Sequence, residues 1–375
     1  MKMKKLLILT LSFIIGIVLS VPVIAKDITK TEITKDIKNE ITHKHIIQNI
    51  EKTNIIENKC TNILTAIKES NKQTVTKLLN NITVEDFYSE RACIETIHKL
   101  LESTFNNKDM RDITKQFINK FKHPDNLIVS YMRQGGSFYK LSLLADWANS
   151  EALYKPTETS LNFANFLIAE GADINSEFEF ITNKTSLKNF IYNYGSDEAI
   201  NLIKKAEEQT QNNKNVSDSL RSQIVSLINK NDVIIEKCDN IYDSILNGNK
   251  RALTKYLDTI SIEDFYSERH CIDNIYALVE QTLKGKDMRP LTKPFIKKFG
   301  SPDNLIISTI DSNGKYYYRT LLAELSSLIS SQAEPLTPIV DYTSFLIKNG
   351  ASVHQEIKQS NKYTQTFILP GKNIQ

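Results

Sequence analysis

The four cysteines are the residues whose type and spacing most directly predict chemistry. Cys60 and Cys93 are 33 positions apart, and the same separation divides Cys238 from Cys271. Four cysteines allow three disulfide pairings, and the equal spacing favours Cys60–Cys93 and Cys238–Cys271. The other interpretations are a shared metal site or buried free thiols, but neither pair has a histidine or acidic residue at zinc-finger spacing. We therefore expect two disulfides, no metal and no cofactor.

The heptapeptide EDFYSER is the second candidate, because it occurs at 85–91 and again at 263–269. Tyrosine and arginine are common at interaction hot spots, so the motif predicts a twin binding patch. The residues of this patch are Phe87, Tyr88, Arg91, Phe265, Tyr266 and Arg269. In the alternative interpretation the aromatic rings pack in the core, and each arginine pairs with a glutamate or caps a helix.

The histidines do not predict catalysis. His98, His123, His270 and His354 are scattered, and each is replaced in the other half of the chain. A catalytic histidine needs a nucleophile and an orienting partner, and the sequence has no nucleophile elbow, Walker motif or dinucleotide-binding loop. We therefore predict no catalytic residues and no enzyme activity.

The elements that must position these residues occur twice, at an offset of 178 positions. Residues 59–97 match residues 237–275, and the match continues without a gap to residue 130 with more than half of the positions identical. FLIAEGADIN at 166–175 then corresponds to FLIKNGASVH at 345–354. Self-similarity on this scale indicates a duplication in which both copies share one fold.

Apolar residues at helical spacing predict a mainly α fold with short β-hairpins, internally duplicated. The sequence also predicts the order of segments. These are a signal peptide at 1–25, a polar N-terminal arm at 26–45, copy one at 46–176, an additional helix pair at 177–206, a polar linker at 207–222 and copy two at 223–375.

The first 25 residues have a basic start, an apolar run, Pro22 and a Val23-Ile24-Ala25 cleavage site, as secretory signal peptides do. The alternative is an uncleaved membrane anchor, since residues 6–25 are long enough to span a bilayer. Cleavage removes three lysines and leaves 44 basic and 44 acidic residues. A neutral chain gives no electrostatic support for binding nucleic acid or anionic lipid.

Several segments resemble ankyrin repeats. Phe166-Leu167-Ile168 leads into Gly171-Ala172-Asp173-Ile174-Asn175, and Thr185-Ser186-Leu187 opens the next helix pair. Residues 345–354 form a looser second exit, and the resemblance covers about half of the mature chain. The EDFYSER motifs and the insert at 147–163 depart from the family pattern. The resemblance implies stacked helix pairs and binding of other proteins.

These observations predict an exported, non-enzymatic protein-binding scaffold that is periplasmic or secreted. One version of this function is a secreted effector that engages host proteins. Two alternatives remain from the sequence: a periplasmic envelope structural or assembly factor, and a hydrolase with an unrecognised site. The expected partner is a protein, with no nucleic acid and no membrane contact after cleavage of the leader.

Overall fold

The computed structural model describes most of the chain. The described residues are 30–132, 138–180, 183–209, 218–310, 316–331, 337–353, 356–358 and 364–366. The predicted signal peptide lies outside them, as do residues 210–217 of the predicted linker. The chain divides into two compact units, residues 1–45 and residues 46–375. Of the first unit, residues 30–45 are described and are helical.

The described part of the chain is mainly α, as predicted, with short antiparallel strand pairs. The first copy and the helix pair behind it contain α1 (Lys30–Lys68), α2 (Lys72–Asn80), α3 (Val84–Ser89), α4 (Arg91–Phe105), α5 (Arg111–Phe121), β1 (Ile128–Met132), β2 (Phe138–Ser142), α6 (Leu143–Trp147), α7 (Glu158–Ala169), β3 (Glu177–Phe180), β4 (Asn183–Ser186), α8 (Leu187–Tyr194) and α9 (Asp197–Gln209).

The second copy repeats this order. It contains α10 (Asp218–Leu246), α11 (Lys250–Thr259), α12 (Ile262–Tyr266), α13 (Arg269–Leu283), α14 (Arg289–Phe299), β5 (Ile306–Ile310), β6 (Tyr316–Thr320), α15 (Leu321–Ser331), α16 (Thr337–Lys348), β7 (Glu356–Lys358) and β8 (Thr364–Thr366). None of the helices in the described ranges combines the length and the apolar character that crossing a bilayer requires.

Helix α1 begins within residues 26–45, for which the sequence allows either a marginal helix or an unfolded arm and slightly favours the arm. From Lys30 onward the structure has the helix, which runs without a break to Lys68. Residues 26–68 contain no proline or glycine, and each residue added to an existing helix gains a hydrogen bond at little further cost. The helix ends where Ser70 has a φ of 56°, and Gly248 has a φ of 66° at the equivalent position.

Both ends of the predicted linker at 207–222 are helical. Residues 207–209 are the last turn of α9, and residues 218–222 are the first turn of α10. Helices α8 and α9 lie where the sequence predicts a helix pair, and Gly195 and Ser196 separate them. The polar composition of residues 207–222 predicted a linker and not two helix ends, because exposed helix ends need no apolar residues.

Each long helix is bonded to its own copy through a disulfide. Cys60 of α1 pairs with Cys93 of α4, with 4.8 Å between their Cα atoms. Cys238 of α10 pairs with Cys271 of α13, with a Cα separation of 5.0 Å. All four side chains are buried, and the described residues include no free cysteine. The two predicted disulfides are confirmed.

The two long helices exchange their N-terminal parts between the cores. Ile46 and Ile50 of α1 are fully buried in the core that copy two builds. Ile224 and Ile228 of α10 occupy the equivalent positions and are fully buried in the core of copy one. Each copy therefore completes its core with residues of the other copy. Local sequence shows that these isoleucines share a helix face, but not which copy covers it.

Both copies place a hairpin directly before a helix. In copy one Ile128 pairs with Ser142 and Met132 with Phe138. The hairpin predicted for copy two is present, with Ile306 opposite Thr320. The hairpins pack against α4 and α13, the helices that begin at the arginine of each EDFYSER motif. This packing positions the candidate site.

Candidate functional site

The aromatic residues of the two EDFYSER motifs belong to the core. The four side chains are fully buried; they are those of Phe87, Tyr88, Phe265 and Tyr266. The Tyr88 hydroxyl donates to the main-chain oxygen of Asn126, and the Tyr266 hydroxyl donates to that of Asn304. The prediction of a surface patch is thus wrong for these four rings. In each core the aromatic rings are removed from water, and the tyrosine hydroxyl keeps a hydrogen-bond acceptor.

The two arginines of the predicted patch differ from each other. Both lie over an aromatic ring of the adjacent hairpin: the Arg91 guanidinium is 5.7 Å from the centre of the Phe138 ring, and that of Arg269 is 5.9 Å from the centre of the Tyr316 ring. Arg269 also donates from Nη1 and Nη2 to the hydroxyl and main-chain oxygens of Ser308, at 2.9 and 2.5 Å. Its donors are therefore used within the protein.

Arg91 keeps a donor unused. Its Nη1 atom is buried and has no hydrogen-bond acceptor within the described part of the chain. Nη1 lies 3.8 Å from Oδ1 of Asp232, and Nε lies 3.7 Å from Oε1 of Glu95. Asp232 already accepts from the Ser130 hydroxyl and pairs with Lys140 at 2.7 Å. A buried donor without a hydrogen-bond acceptor costs roughly 1–3 kcal/mol.

Arg91 opens onto a groove of about 360 Å³ in copy one. The end of α1, one face of α4 and strand β1 form its walls. Its floor is apolar, from Ile94 and Val129, which are buried. Its rim carries charges of both signs, including Lys68, Lys99 and Glu102. An apolar floor with a charged rim is the composition of a protein-binding surface.

His98 and Tyr131, which line the groove, form a cluster with the buried side chain of Asp146. His98 Nδ1 lies 2.9 Å from Oδ2 of Asp146, and the Tyr131 hydroxyl donates to the same oxygen at 2.8 Å. The Tyr131 oxygen is also 2.5 Å from His98 Nδ1. Asp146 is almost fully buried, whereas about a third of the His98 side chain is exposed. The cluster therefore holds the imidazole in a fixed orientation at the groove.

The hydrogen bond with Asp146 raises the pKa of His98 above its ordinary value, and the burial of the ring partly opposes that rise. The ring is consequently protonated over a wider pH range than a free histidine. Burial also raises the pKa of Tyr131. The cluster thus presents an imidazole whose protonated form is stabilised, together with a phenol, beside the unused donor of Arg91.

Copy two has no equivalent of this cluster. The positions of His98, Tyr131 and Asp146 are occupied there by Tyr276, Thr309 and Glu324. Glu324 instead forms an ion pair with Arg319, with 3.0 Å between Oε2 of Glu324 and Nε of Arg319. Sequence reasoning missed the cluster because His98 and Asp146 are 48 positions apart. The sequence signal for the cluster is that the positions of all three residues hold other residue types in copy two.

A second polar group lies under the EDFYSER motifs, where the two copies meet. Glu90 and Glu268 are buried, and burial raises the pKa of Glu90 well above its ordinary value, with a further rise from the Glu268 charge. Burial likewise raises the pKa of Glu268. Asn231 donates from Nδ2 to Oε2 of Glu268 at 2.8 Å. The two motifs thus contribute buried carboxyl groups to one interface.

Among the described residues, no group of three or more histidine, cysteine, aspartate or glutamate side chains is placed to hold a metal ion. Comparison of the chain with known protein families, with curated proteins and with solved structures finds no match.

Proposed function

We propose that this protein is an exported, non-enzymatic scaffold that binds a protein partner through the groove of copy one. The observation that carries the proposal is the unused Nη1 donor of Arg91 at a groove with an apolar floor. A carboxylate or main-chain carbonyl of a partner segment would accept from Arg91, while apolar side chains of the same segment would cover Ile94 and Val129.

The groove has the features that concentrate binding energy. Arginine and tyrosine are the residue types most enriched among hot spots, and Arg91 and Tyr131 both line this groove. The Phe138 ring and the buried Asp146 fix the orientations of Arg91 and His98. A side chain that is already ordered loses less entropy when a partner binds. Preorganisation of this kind supports recognition by the groove as it stands.

We include two further points in this proposal. The chain is related to ankyrin repeats, and it acts outside the cytoplasm. The β3–β4 hairpin followed by α8 and α9 has the order of an ankyrin unit, a turn and then two helices. Two disulfides are compatible with an exported protein, because disulfides persist in oxidising compartments. The scaffold would act in the periplasm or outside the cell.

The test compares two histidines that share one kind of ion pair. His98 pairs with Asp146 in the groove, whereas His270 pairs with Asp239 away from it, with 2.5 Å between Nε2 and Oδ1. The full-length chain with both disulfides intact is immobilised and used to capture proteins from envelope and culture-medium fractions. We expect His98→Ala to lose the partner that the unchanged chain retains, and His270→Ala to retain it.

An Arg91→Lys variant adds a second check, because lysine keeps the charge and loses the planar set of donors. We expect it to weaken the binding of the same partner by about tenfold, the loss of one charge-assisted hydrogen bond. Equal capture by the His98 and His270 variants would contradict the proposal. So would a partner that binds equally well to the chain with Arg91→Lys.

A further inference from the structure

A second cavity lies where the two copies meet, apart from the groove. It measures about 190 Å³ and is lined by equivalent positions of both copies. The equivalent pairs are Lys52 and Lys230, Thr53 and Asn231, Ile56 and Ile234, Glu85 and Glu263, and Ser89 and Ser267. We call this cavity the central cleft. Its lining has an approximate two-fold symmetry because the N-terminal parts of α1 and α10 are exchanged between the cores.

The rim of the central cleft carries an excess of negative charge. Lys52 is paired with Asp86 and Lys230 with Asp264, each at 3.2 Å. Glu85 and Glu263 remain, one from each copy, and neither forms an ion pair with a described residue. The charges within the two ion pairs cancel, so the carboxylates of Glu85 and Glu263 remain at symmetric positions. Such a rim attracts a ligand with positive charge at both ends.

The floor between these carboxylates is apolar. Ile56 and Ile234 line the cleft with only 6% of each side chain exposed, and Leu227 lies beside them. Methylene groups are stabilised when they are buried against such a surface. The arrangement therefore favours a ligand whose charged ends are joined by an aliphatic chain.

Asn231 is the observation that points to a bound molecule. Its side chain is only 3% exposed and lines the cleft. Nδ2 donates to the main-chain oxygen of Ser89 and to Oε2 of Glu268, both at 2.8 Å. Because both partners are acceptors, the orientation of the amide is fixed. Oδ1 is buried without a donor in the described part of the chain, so it is an acceptor ready for an ammonium group.

We propose that the central cleft binds a linear aliphatic diamine. One ammonium group donates to Oδ1 of Asn231, the two charged ends face Glu85 and Glu263, and the methylene chain lies on Ile56 and Ile234. A water molecule takes about 30 Å³ of liquid volume, so the cleft has room for roughly six non-hydrogen atoms. 1,4-Diaminobutane has that size. This site is separate from the groove and does not depend on the proposed function.

The experiment is isothermal titration calorimetry on the full-length chain with both disulfides intact, at neutral pH and low ionic strength. The ligands are 1,4-diaminobutane, n-butylamine and butanedioate, which share the four-carbon chain. We expect saturable binding of one diamine per chain, binding of the monoamine that is weaker by at least about tenfold, and no binding of the diacid.

Variants locate the site. Glu85→Gln with Glu263→Gln removes both free carboxylates and is expected to weaken diamine binding by about fivefold or more. Glu158→Gln with Glu208→Gln changes the net charge equally on α7 and α9, which contribute no residue to the lining of the cleft, and should leave the binding unchanged. Asn231→Thr gives copy two the residue that copy one has as Thr53, and is expected to abolish the one-to-one binding while a thermal melt confirms folding.

Three results would overturn the inference. The first is the absence of diamine binding, and the second is equal affinity for the diamine and the monoamine. The third is an equal loss of affinity in both double-glutamine variants, since that loss would reflect net charge and not the cleft. The groove variant His98→Ala should bind the diamine like the unchanged chain, so failure here is distinguishable from failure of the protein-binding proposal.

Discussion

Asn231 donates a hydrogen bond to the main-chain oxygen of Ser89, at 2.8 Å and across 142 positions of sequence. Thr53, its equivalent in copy one, donates to the main-chain oxygen of Tyr266 in copy two at 3.3 Å. Each long helix thus bonds the EDFYSER motif of the other copy. The two bonds lie beside the exchanged isoleucines, so the stability of each copy depends on a helix that the other copy supplies.

The exchange predicts that a mutation in one copy destabilises the other. Ile46→Ala should lower the free energy of unfolding by about 2–5 kcal/mol, because it opens a cavity in a fully packed core. That core belongs to copy two. Hydrogen exchange measured by mass spectrometry should therefore show faster exchange in α13 and α14 than in α4 and α5.

Ile224→Ala is the matched control, since Ile224 is the equivalent residue and lies in the core of copy one. It should give the opposite pattern, with faster exchange in α4 and α5. Faster exchange confined to the copy that carries the mutation, in either variant, would show that the helices are not exchanged.

The exchange also predicts the behaviour of a cut chain. A specific protease site inserted within residues 210–217 separates the copies covalently after cleavage. We expect the two pieces to elute together in size-exclusion chromatography with light scattering, because each contains isoleucines buried in the core of the other. Two separate peaks with native circular dichroism would contradict this. Urea should release both pieces in one transition.

Two features could be predicted from the sequence because each depends on a repeated or local pattern. The equal cysteine spacing predicts the disulfides, and the β-branched residues of 304–310 before Asp311-Ser312-Asn313-Gly314 predict the second hairpin. The start of α1 could not be predicted from the sequence, because the polar residues of this segment fit a helix and an unfolded chain alike. The packing of Ile46 in the other core is visible only in the structure. The sequence left the burial of Tyr88 as one of two interpretations, because an aromatic residue near a helix start fits a core and a surface equally well.

The groove and the central cleft could not be predicted for a different reason. Arg91 was identified by type, but its unused donor depends on where Asp232 lies, and Asp232 belongs to the other copy. The cluster of His98, Tyr131 and Asp146 joins residues from α4, β1 and α6. Contacts between distant elements depend on tertiary packing, which a single sequence does not reveal.

Asp125 predicts a pH dependence of stability. Burial raises its pKa from 3.8 to about 6. The fold therefore favours the protonated form, and this stabilisation is fully present below about pH 3.8 and lost as pH rises through about 6. A difference of about two pKa units corresponds to about 3 kcal/mol. Denaturant unfolding of the unchanged chain should show this loss between pH 4 and pH 7.

The variant Asp125→Asn should lack that part of the pH dependence, because its amide does not titrate and its oxygen can still accept from the main-chain nitrogen of Asp173. Asp303→Asn is the control, since Asp303 is the equivalent and less buried residue of copy two. A stability profile of Asp125→Asn that parallels the unchanged chain from pH 4 to pH 7 would rule out this role for Asp125.

The disulfide of copy one should stabilise the whole molecule. Replacing Cys60 and Cys93 by serine removes a cross-link over 33 positions, which is expected to lower the free energy of unfolding by about 3–4 kcal/mol. Because the cores are interlocked, the loss should appear as one shifted urea transition. The equivalent change at Cys238 and Cys271 is the control, and a loss below about 1 kcal/mol in either variant would refute the prediction.

The final prediction concerns the electrostatics of the groove. The hydrogen bond with Asp146 is the largest cause of the raised pKa of His98, so Asp146→Asn should lower that pKa, because the burial of the ring is then the largest remaining influence and it lowers the pKa. Imidazole signals followed by NMR across pH 5–9 measure it directly. Asp239→Asn is the control, since Asp239 raises the pKa of His270 in the same way and should leave His98 unchanged. A His98 titration that is the same in the Asp146→Asn variant and in the unchanged chain would mean that Asp146 does not hold the imidazole at the groove.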